Sequence, residues 1–333
     1  MPAVTIAPAN AIIHIIAASV VANVLPIRYK RHYNGRTPDL EISGSPKCAA
    51  IRYNMRKRHG FMNHDLLETA LQKEMRLKDL LAAQGAMVVA YSGGVDSTYL
   101  ADVAHETLGD RARLALADSP SIPRSELREA CALAAARGWN LVVLKTAEFD
   151  KDEFLRNDGH RCYVCKGELF EQMNAFARNE CISCIAYGET ADDSADVTRL
   201  GRLAAQEHRA LAPLQTAGLV KDEIRVLSRR RGLPTWNKAS FACLASRVPK
   251  GSRIDTESLA RVEQAEEALK ALGFHQYRAR HHGDLCRIEV DAHELARAVE
   301  PAVRETILRE LRKAGYRHVT LDLAGYRTGS TAT

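Results

Sequence analysis

Three features of the chain predict an α/β fold, a doubly wound parallel sheet with helices on both faces, followed by a smaller C-terminal α+β domain. Short apolar runs alternate with amphipathic stretches between residues 87 and 146, the rhythm of repeated βαβ units. The first of these runs enters a glycine-rich turn that opens into a helical pattern, and open α/β sheets hold ligands at such carboxyl ends of their strands. From about residue 256 the order becomes helix, strand, strand, helices, strand, a separate layer rather than a continuation of the sheet.

Each element follows from its own pattern. HDLLETALQKEMRLKDLLAAQG, residues 64–85, repeats apolar residues at helical spacing and stops at Gly85. AMVVAYSGGVDSTYLADVAHETLG then predicts a strand at 87–91, the glycine turn and an amphipathic helix reaching Leu108. A second strand is expected at 112–117, ending at Asp118 and Ser119. IPRSELREACALAAARG is a helix that Gly138 terminates, and WNLVVLKT is a third strand. Residues 149–161 are charged and break the rhythm before a helix that starts at the Cys162 pair and runs to about Arg178; NECISCIAYGE then leads into a fourth strand. In the last region strands are expected at 276–280, 285–290 and 318–323. The resulting organisation is an extension over 1–61, an α/β domain over 62–250 and an α+β domain over 251–333.

With 333 residues and 46% hydrophobic content the chain can bury one large core and more readily two. Its formal charge of +6 is concentrated at one end: residues 1–61 hold nine Lys/Arg against two Asp/Glu, and the remaining 272 hold 38 against 39. A body so near neutrality argues against a nucleic-acid partner. AIIHIIAASVVANVLPI, residues 11–27, is the most apolar run. His14, Ser19 and Asn23 interrupt it and Pro26 ends it, short of the ~20 apolar residues that a membrane span needs. Residues 28–60 show no periodicity, so 1–61 is expected to be poorly ordered, with Met55 or Met62 opening the working protein. Eight cysteines, four of them in two CxxC pairs, are too few for a disulfide scaffold and fit metal or redox use in a reducing cytoplasm.

The chemistry concentrates in two places. In SGGVDS, residues 92–97, Gly93 and Gly94 let the backbone approach a ligand and Ser92 and Ser97 add hydroxyl donors. The helix start contributes its amides and dipole, making an anion site that lacks the lysine of the GxxxxGK[ST] loop. The hexapeptide resembles the signature of the PP-loop ATP pyrophosphatases. That resemblance implies ATP as substrate, cleavage between its α- and β-phosphates, and Asp96 helping to bind the accompanying Mg²⁺. Asp118 and Ser119, at the end of the second strand, are candidate adenosine contacts. The second place is cysteine-rich. Cys162 and Cys165 open a helix, where the dipole favours thiolate. Cys181 and Cys184 sit at a strand entry, where burial as small apolar groups is the commoner fate. Together the two pairs also suit a four-cysteine zinc site.

Further motifs point to one group. YGETADD (187–193), APLQTAGLVKDEIRVLSRRRGLP, LPTWNKASFACLASRVPKG (233–251), RARHHGDLCRIEV and GYRHVTLDLAGYRTGS resemble the LarE family of ATP-dependent sulfur transferases, a likeness running over residues 64–330. The resemblance implies that a carboxylate of pyridinium-3,5-biscarboxylate mononucleotide is adenylated and becomes a thiocarboxylate on the way to the nickel-pincer nucleotide. Adenylation is needed because a carboxylate carbon becomes a good electrophile only when its oxygen can leave. The implied sulfur source is either Cys243 itself, sacrificed to dehydroalanine, or a sulfide on a [4Fe-4S] cluster held by three cysteines, here Cys162, Cys165 and Cys243. Ser246, Arg247, Arg278 and Arg280 carry over as phosphate or carboxylate binders, Glu266 as an acidic group of the site, and Asp193 as a group near the nucleotide. A homo-oligomer is implied as well. Glu189 and Thr190 stand where the family pattern has Thr-Asn, and ADVTRLG replaces a Pro-containing segment, which bears on substrate preference. Two other readings share the loop. One is an amidotransferase of the GMP- or NAD-synthetase kind, for which no glutaminase-type cysteine region is present. The other is a tRNA thiolation enzyme, against which stands the near-neutral body.

Overall fold

The computed structural model describes residues 46–195, 200–239 and 243–327. The apolar run at 11–27 and most of the expected extension lie outside these residues. From Pro46 the backbone is one helix, α1 (Pro46–Gln84), which begins well before the 64–85 stretch whose periodicity predicts it. Among the described residues no helix is long and apolar enough to cross a membrane.

Strands β1 (Met87–Ala90), β2 (Ala112–Asp118), β3 (Leu141–Lys145) and β4 (Ile185–Ala186) form a parallel sheet in the order β3-β2-β1-β4. Met87 pairs with Ala112, Val88 with Ile185, and Leu114 with Leu141. Strand alternation divides the apolar side chains between two faces. Met87, Val89, Leu114 and Leu116 pack with α1, α2 (Val95–Leu108) and α3 (Arg124–Ala136), whereas Val88 and Ala115 pack with Phe170 and Met173 of α4 (Arg161–Asn179). A strand buried on both sides has to be apolar throughout, which is why MVVA shows no polar alternation. Each fully buried large side chain here contributes about 1.5–3 kcal/mol. The doubly wound arrangement is therefore the one expected.

Beyond β4 come α5 (Gly201–Glu207) and α6 (Lys221–Arg230), and then α7 (Thr256–Ala271), whose N-cap Asp255 accepts the Ser258 amide at 2.7 Å. The second sheet has the order β5-β6-β7: β5 (Tyr277–His282) and β6 (Leu285–Val290) are antiparallel, and β7 (His318–Leu321) runs parallel to β6. Ala265 and Leu269 of α7, with Ile307 and Leu311 of α8 (Pro301–Lys313), cover Ala279 and Ile288 of this sheet. Both sheets belong to one compact unit, Asp65–Thr333. A further apolar cluster, Phe154, Leu244, Ala245, Val248, Ile254 and Leu259, straddles residue 250 and packs the segment that begins at Cys243.

Candidate active site

A cleft of about 480 Å³ opens at the carboxyl ends of β1, β2 and β3. Its first wall is the glycine turn after β1. Gly93 has φ +70°, and a Cβ there would lie 3.0 Å from Cβ of Ala130, so the position admits only glycine without strain. The Ser92 amide donates to Ser97 Oγ at 3.1 Å, and the two hydroxyl oxygens stand 2.9 Å apart, which curls the loop over the start of α2. The Thr98 amide donates to Gly94 O at 3.0 Å. The amides before it have no partner inside the helix and are free to meet an anion. Gly188, after β4, packs on the same helix start, where a Cβ would come within 3.1 Å of the Ser97 backbone.

Asp96 faces the cleft beside this loop. One carboxylate oxygen pairs with Lys221 at the start of α6, and the other, Oδ1, is buried without a hydrogen-bond partner. Burial pushes the Asp96 carboxyl above its ordinary range; Lys221 opposes that shift and the charge of Asp193 adds to it. A buried carboxylate oxygen with no donor suits a hard cation, so Asp96 fits as a Mg²⁺ ligand. Asp193, in the turn after β4, also lines the cleft, and its Oδ2 accepts from the Thr190 amide at 3.1 Å and the Thr190 hydroxyl at 2.9 Å.

The opposite wall begins where β2 and β3 end. Asp118 is not in it: the side chain pairs with Arg124, whose guanidinium also donates to the carbonyls of Ser119 and Ile122 and so braces the turn. Ser119 is in the wall, buried, and donates to Glu148 in the turn after β3. Cys165 and Cys243 also line the cleft; both are half-buried, and Cys162 is exposed at the start of α4. Burial pushes the Cys165 thiol far up, and the charges of Cys243, Glu148 and Cys162 push it further, with Arg161 opposing. At Cys165 burial thus works against the thiolate that a helix start favours. Cys165 and Cys243 share the cleft, and Cys162 lies three residues before Cys165 at the start of the same helix, outside the lining.

The other CxxC pair separates. Cys184 packs in the core, 3.5 Å from Gln84 Oε1, and Cys181 is exposed in a turn at φ +55°. Among the described residues no three His, Cys, Asp or Glu side chains are set to hold one ion, so the four-cysteine zinc site does not form. A four-iron cluster asks one thiolate for each of three irons, and the same absence among the described residues extends to Cys162, Cys165 and Cys243.

Two sets of bonds fix the Cys243 segment. Asn157, buried at φ +54°, donates to the carbonyls of Val248 (3.3 Å) and Pro249 (2.9 Å) and accepts from Arg161 at 2.7 Å; Arg161 also donates to Ala245 O at 2.9 Å. Behind it, the fully buried Arg247 grips both oxygens of Glu266 at 2.7 and 2.9 Å and donates to Cys243 O at 3.1 Å. Arg280 grips Glu289 at 3.0 and 2.9 Å and donates to Ser246 O at 3.0 Å. Arg278 donates to Tyr277 O at 2.6 Å and lies over the Tyr326 ring; burial and the charge of Arg247 lower its pKa. None of Ser246, Arg247, Glu266, Arg278 or Arg280 lines the cleft. Arg247 and Arg280 hold the carbonyls of Cys243 and Ser246 as well as their glutamates.

Three residues of the site are not evident in the sequence. Lys221 lies in LVKDEIR at a helix start, where a cation opposes the dipole, and that anomaly is the available signal. Glu148 and Asn157 lie at the edge of or within a charged stretch that reads only as a break. In the divergent segment Glu189 is buried and pairs with Arg202 at 3.0 Å and with Tyr187; residues 196–199 lie outside the described residues.

No protein-family model matches the chain. Over 264 residues it is 35% identical to an uncharacterised protein of Synechocystis sp., covering 79% of this chain and 97% of that one. Over 264 residues it is 31% identical to the pyridinium-3,5-bisthiocarboxylic acid mononucleotide synthase of Lactiplantibacillus plantarum, covering 79% of this chain and 95% of the synthase. A shorter match, 26% over 174 residues, relates 47% of the chain to 34% of the glutamine-hydrolysing GMP synthase of Chlamydia caviae.

Proposed function

The chain belongs to the LarE family of PP-loop sulfur transferases, and from that premise we propose that it converts a carboxylate of pyridinium-3,5-biscarboxylate mononucleotide to a thiocarboxylate at the expense of ATP. The observation that carries the reading is that the phosphate loop and the thiols of Cys165 and Cys243 line one cleft. A substrate carboxylate oxygen attacks the α-phosphorus of ATP, the bond to the bridging oxygen breaks, and pyrophosphate leaves an acyl adenylate. Charge grows on the departing pyrophosphate, and the loop amides together with the Lys221 ammonium are placed to meet it. Mg²⁺ held through Asp96 Oδ1 supplies further charge neutralisation when bound. A sulfur nucleophile then attacks the acyl carbon and AMP leaves with the C–O electron pair. Cys162, Cys165 and Cys243 would hold a [4Fe-4S] cluster, which supplies renewable sulfide when bound. The chain's own contribution to this step is positional: Asn157 and Arg161 keep the Cys243 segment against α4, so sulfur and activated carboxylate share one small space.

Anaerobic purification with iron and sulfide analysis, coupled to ATP–pyrophosphate exchange, tests this. The expected protein is brown, carries about four irons, and exchanges pyrophosphate only with the mononucleotide present. Cys162→Ala should lose iron and thiocarboxylate formation yet keep the exchange. A colourless protein that loses the mass of one sulfur from Cys243, and stays active as Cys162→Ala, establishes the sacrificial route instead. Exchange driven by tRNA rather than by the mononucleotide overturns the substrate.

A further inference from the structure

Glu148 is a buried group that the proposed reaction does not use. It stands in the turn following β3, at the same end of the sheet as the phosphate loop, and its side chain lies in the cleft wall with the residue 1% exposed. Ser119 Oγ donates to Oε1, and Ser119 is itself fixed by the Ser121 amide at 3.0 Å and the Ser121 hydroxyl at 2.9 Å. From the other side Glu168 of α4 accepts the Ala147 amide at 3.0 Å and pairs with Lys151 at 2.5 Å, so the turn carrying Glu148 is clamped at both ends. The second oxygen, Oε2, is buried and has no hydrogen-bond partner, not even the Cys165 thiol whose ionisation Glu148 opposes. Leaving a buried carboxylate oxygen unmatched is unfavourable, and the Ser119 bond satisfies only Oε1.

The chemistry of the missing partner can be narrowed. Phosphates and carboxylates are repelled by Glu148, and a metal ion is disfavoured because Glu148, unlike Asp96, does not stand on the phosphate loop and, among the described residues, no three His, Cys, Asp or Glu side chains are set to hold one. A neutral donor remains. The pyridinium ring of the proposed mononucleotide carries no N–H and the adenine amino group belongs to ATP alone, so the neutral donor that both nucleotides carry is a ribose hydroxyl. The carboxyl ends of β1 and β3 are two strand spacings apart, about 10 Å, which sets a sugar between phosphates on the loop and a carboxylate at Glu148. Acidic side chains at strand ends accept ribose hydroxyls in dinucleotide-binding sheets for the same reason.

We propose that Oε2 of Glu148 accepts a hydrogen bond from a ribose hydroxyl of a nucleotide bound in this cleft, with Ser119 fixing the carboxylate. The assignment rests on the nucleotide-dependent reaction proposed above. Titration calorimetry with the full chain tests it, using Mg·ATP, its 2′-deoxy and 3′-deoxy analogues, and pyridinium-3,5-biscarboxylate mononucleotide, each added alone. Glu148→Gln should weaken one ribonucleotide by about tenfold or more, and Glu148→Ala should weaken the same one at least as much. If the sugar belongs to ATP, the loss disappears with one deoxy analogue, which wild type and variant bind alike. If it belongs to the mononucleotide, ATP and its analogues bind unchanged and the mononucleotide alone is weakened. Retained affinity for the unaffected nucleotide shows that the variant is folded. Wild-type affinity for both nucleotides in Glu148→Gln overturns the assignment, as does a loss that persists undiminished with both deoxy analogues. A wild-type chain that binds ATP but not the mononucleotide overturns the proposed substrate, and the ATP titrations then decide the role of Glu148 alone.

Discussion

The two walls of the cleft are built in opposite ways. The phosphate wall is six consecutive residues, 92–97, closed by a Ser92–Ser97 contact and seated on a helix start. The thiol wall joins Cys165 to Cys243, about eighty residues on in the sequence, through Asn157, Arg161 and the buried pair Arg247–Glu266. Local backbone rules set the first geometry, whereas buried charge and long-range hydrogen bonds set the second. The two should therefore fail differently: damage to the loop removes ligand binding from an intact fold, and damage to the frame unseats Cys243.

The largest effect is expected in the frame. Glu266→Gln leaves the guanidinium of Arg247, which is 0% exposed, without its carboxylate. Breaking one side of a buried pair costs about 3–5 kcal/mol, to be read from urea unfolding. Replacing both partners, Arg247→Met with Glu266→Leu, should recover much of that stability because no unmatched charge remains. Sulfur transfer should stay lost, since Cys243 O and Ser246 Oγ no longer have the Arg247 donor. A cost near zero for Glu266→Gln would mean that apolar packing around Leu244 and Val248, not the ion pair, seats the segment.

The same division explains what the sequence reveals. The sheet is legible because MVVA, ARLALAD and LVVLK are largely apolar runs each preceded by a glycine turn, and the loop because its six residues carry their geometry with them. The roles of Arg247 and Arg280 are not legible. An arginine in a motif looks alike whether its fork faces a phosphate or a glutamate, and only the fold brings Glu266 and Glu289 to them from 19 and 9 residues away. For Asp118 the position at a strand end is visible in the sequence, but the pairing with Arg124 six residues on is not. For Cys165 the helix dipole can be read from the sequence, whereas burial, which works against it, exists only in the folded chain.

On the loop side the next effects are smaller and of a different kind. Gly93→Ala meets a left-handed φ of +70° and Ala130 at 3.0 Å, for a combined cost of about 2 kcal/mol. It should appear in ATP affinity and thermal stability while cysteine-dependent iron binding is unchanged. Asp96 yields a pH test whose sign is fixed by its raised pKa. For the free protein, the raised value means a contribution to stability that is fully present below the ordinary aspartate pKa and lost as pH rises through the raised one. Cation binding runs the other way, because it needs the carboxylate. Magnesium-dependent ATP affinity should therefore fall as pH drops through the raised value, by about tenfold, or 1.4 kcal/mol, per unit below it. Repeating the titration with Asp96→Asn separates this from the protonation of ATP itself, and a variant with the same slope would remove Asp96 from the cation site.

The smallest effect comes from an ion pair on the same helix as Glu266. Lys270 of α7 meets Glu129 of α3 at 2.8 Å, with side chains 42% and 50% exposed. Its distance matches that of Arg247–Glu266, and it likewise ties α7 to another element, so geometry alone would rank the two together. Solvent separates them. Water already stabilises both exposed charges, the side chains lose freedom on pairing, and salt screens what attraction is left. Lys270→Ala should therefore cost about 0.5 kcal/mol or less, and high salt should shrink even that difference in parallel unfolding curves. A cost comparable with Glu266→Gln would show that contact between α7 and α3, rather than burial of charge, makes the frame strong, and the contrast between the two walls would then have to be redrawn around that contact.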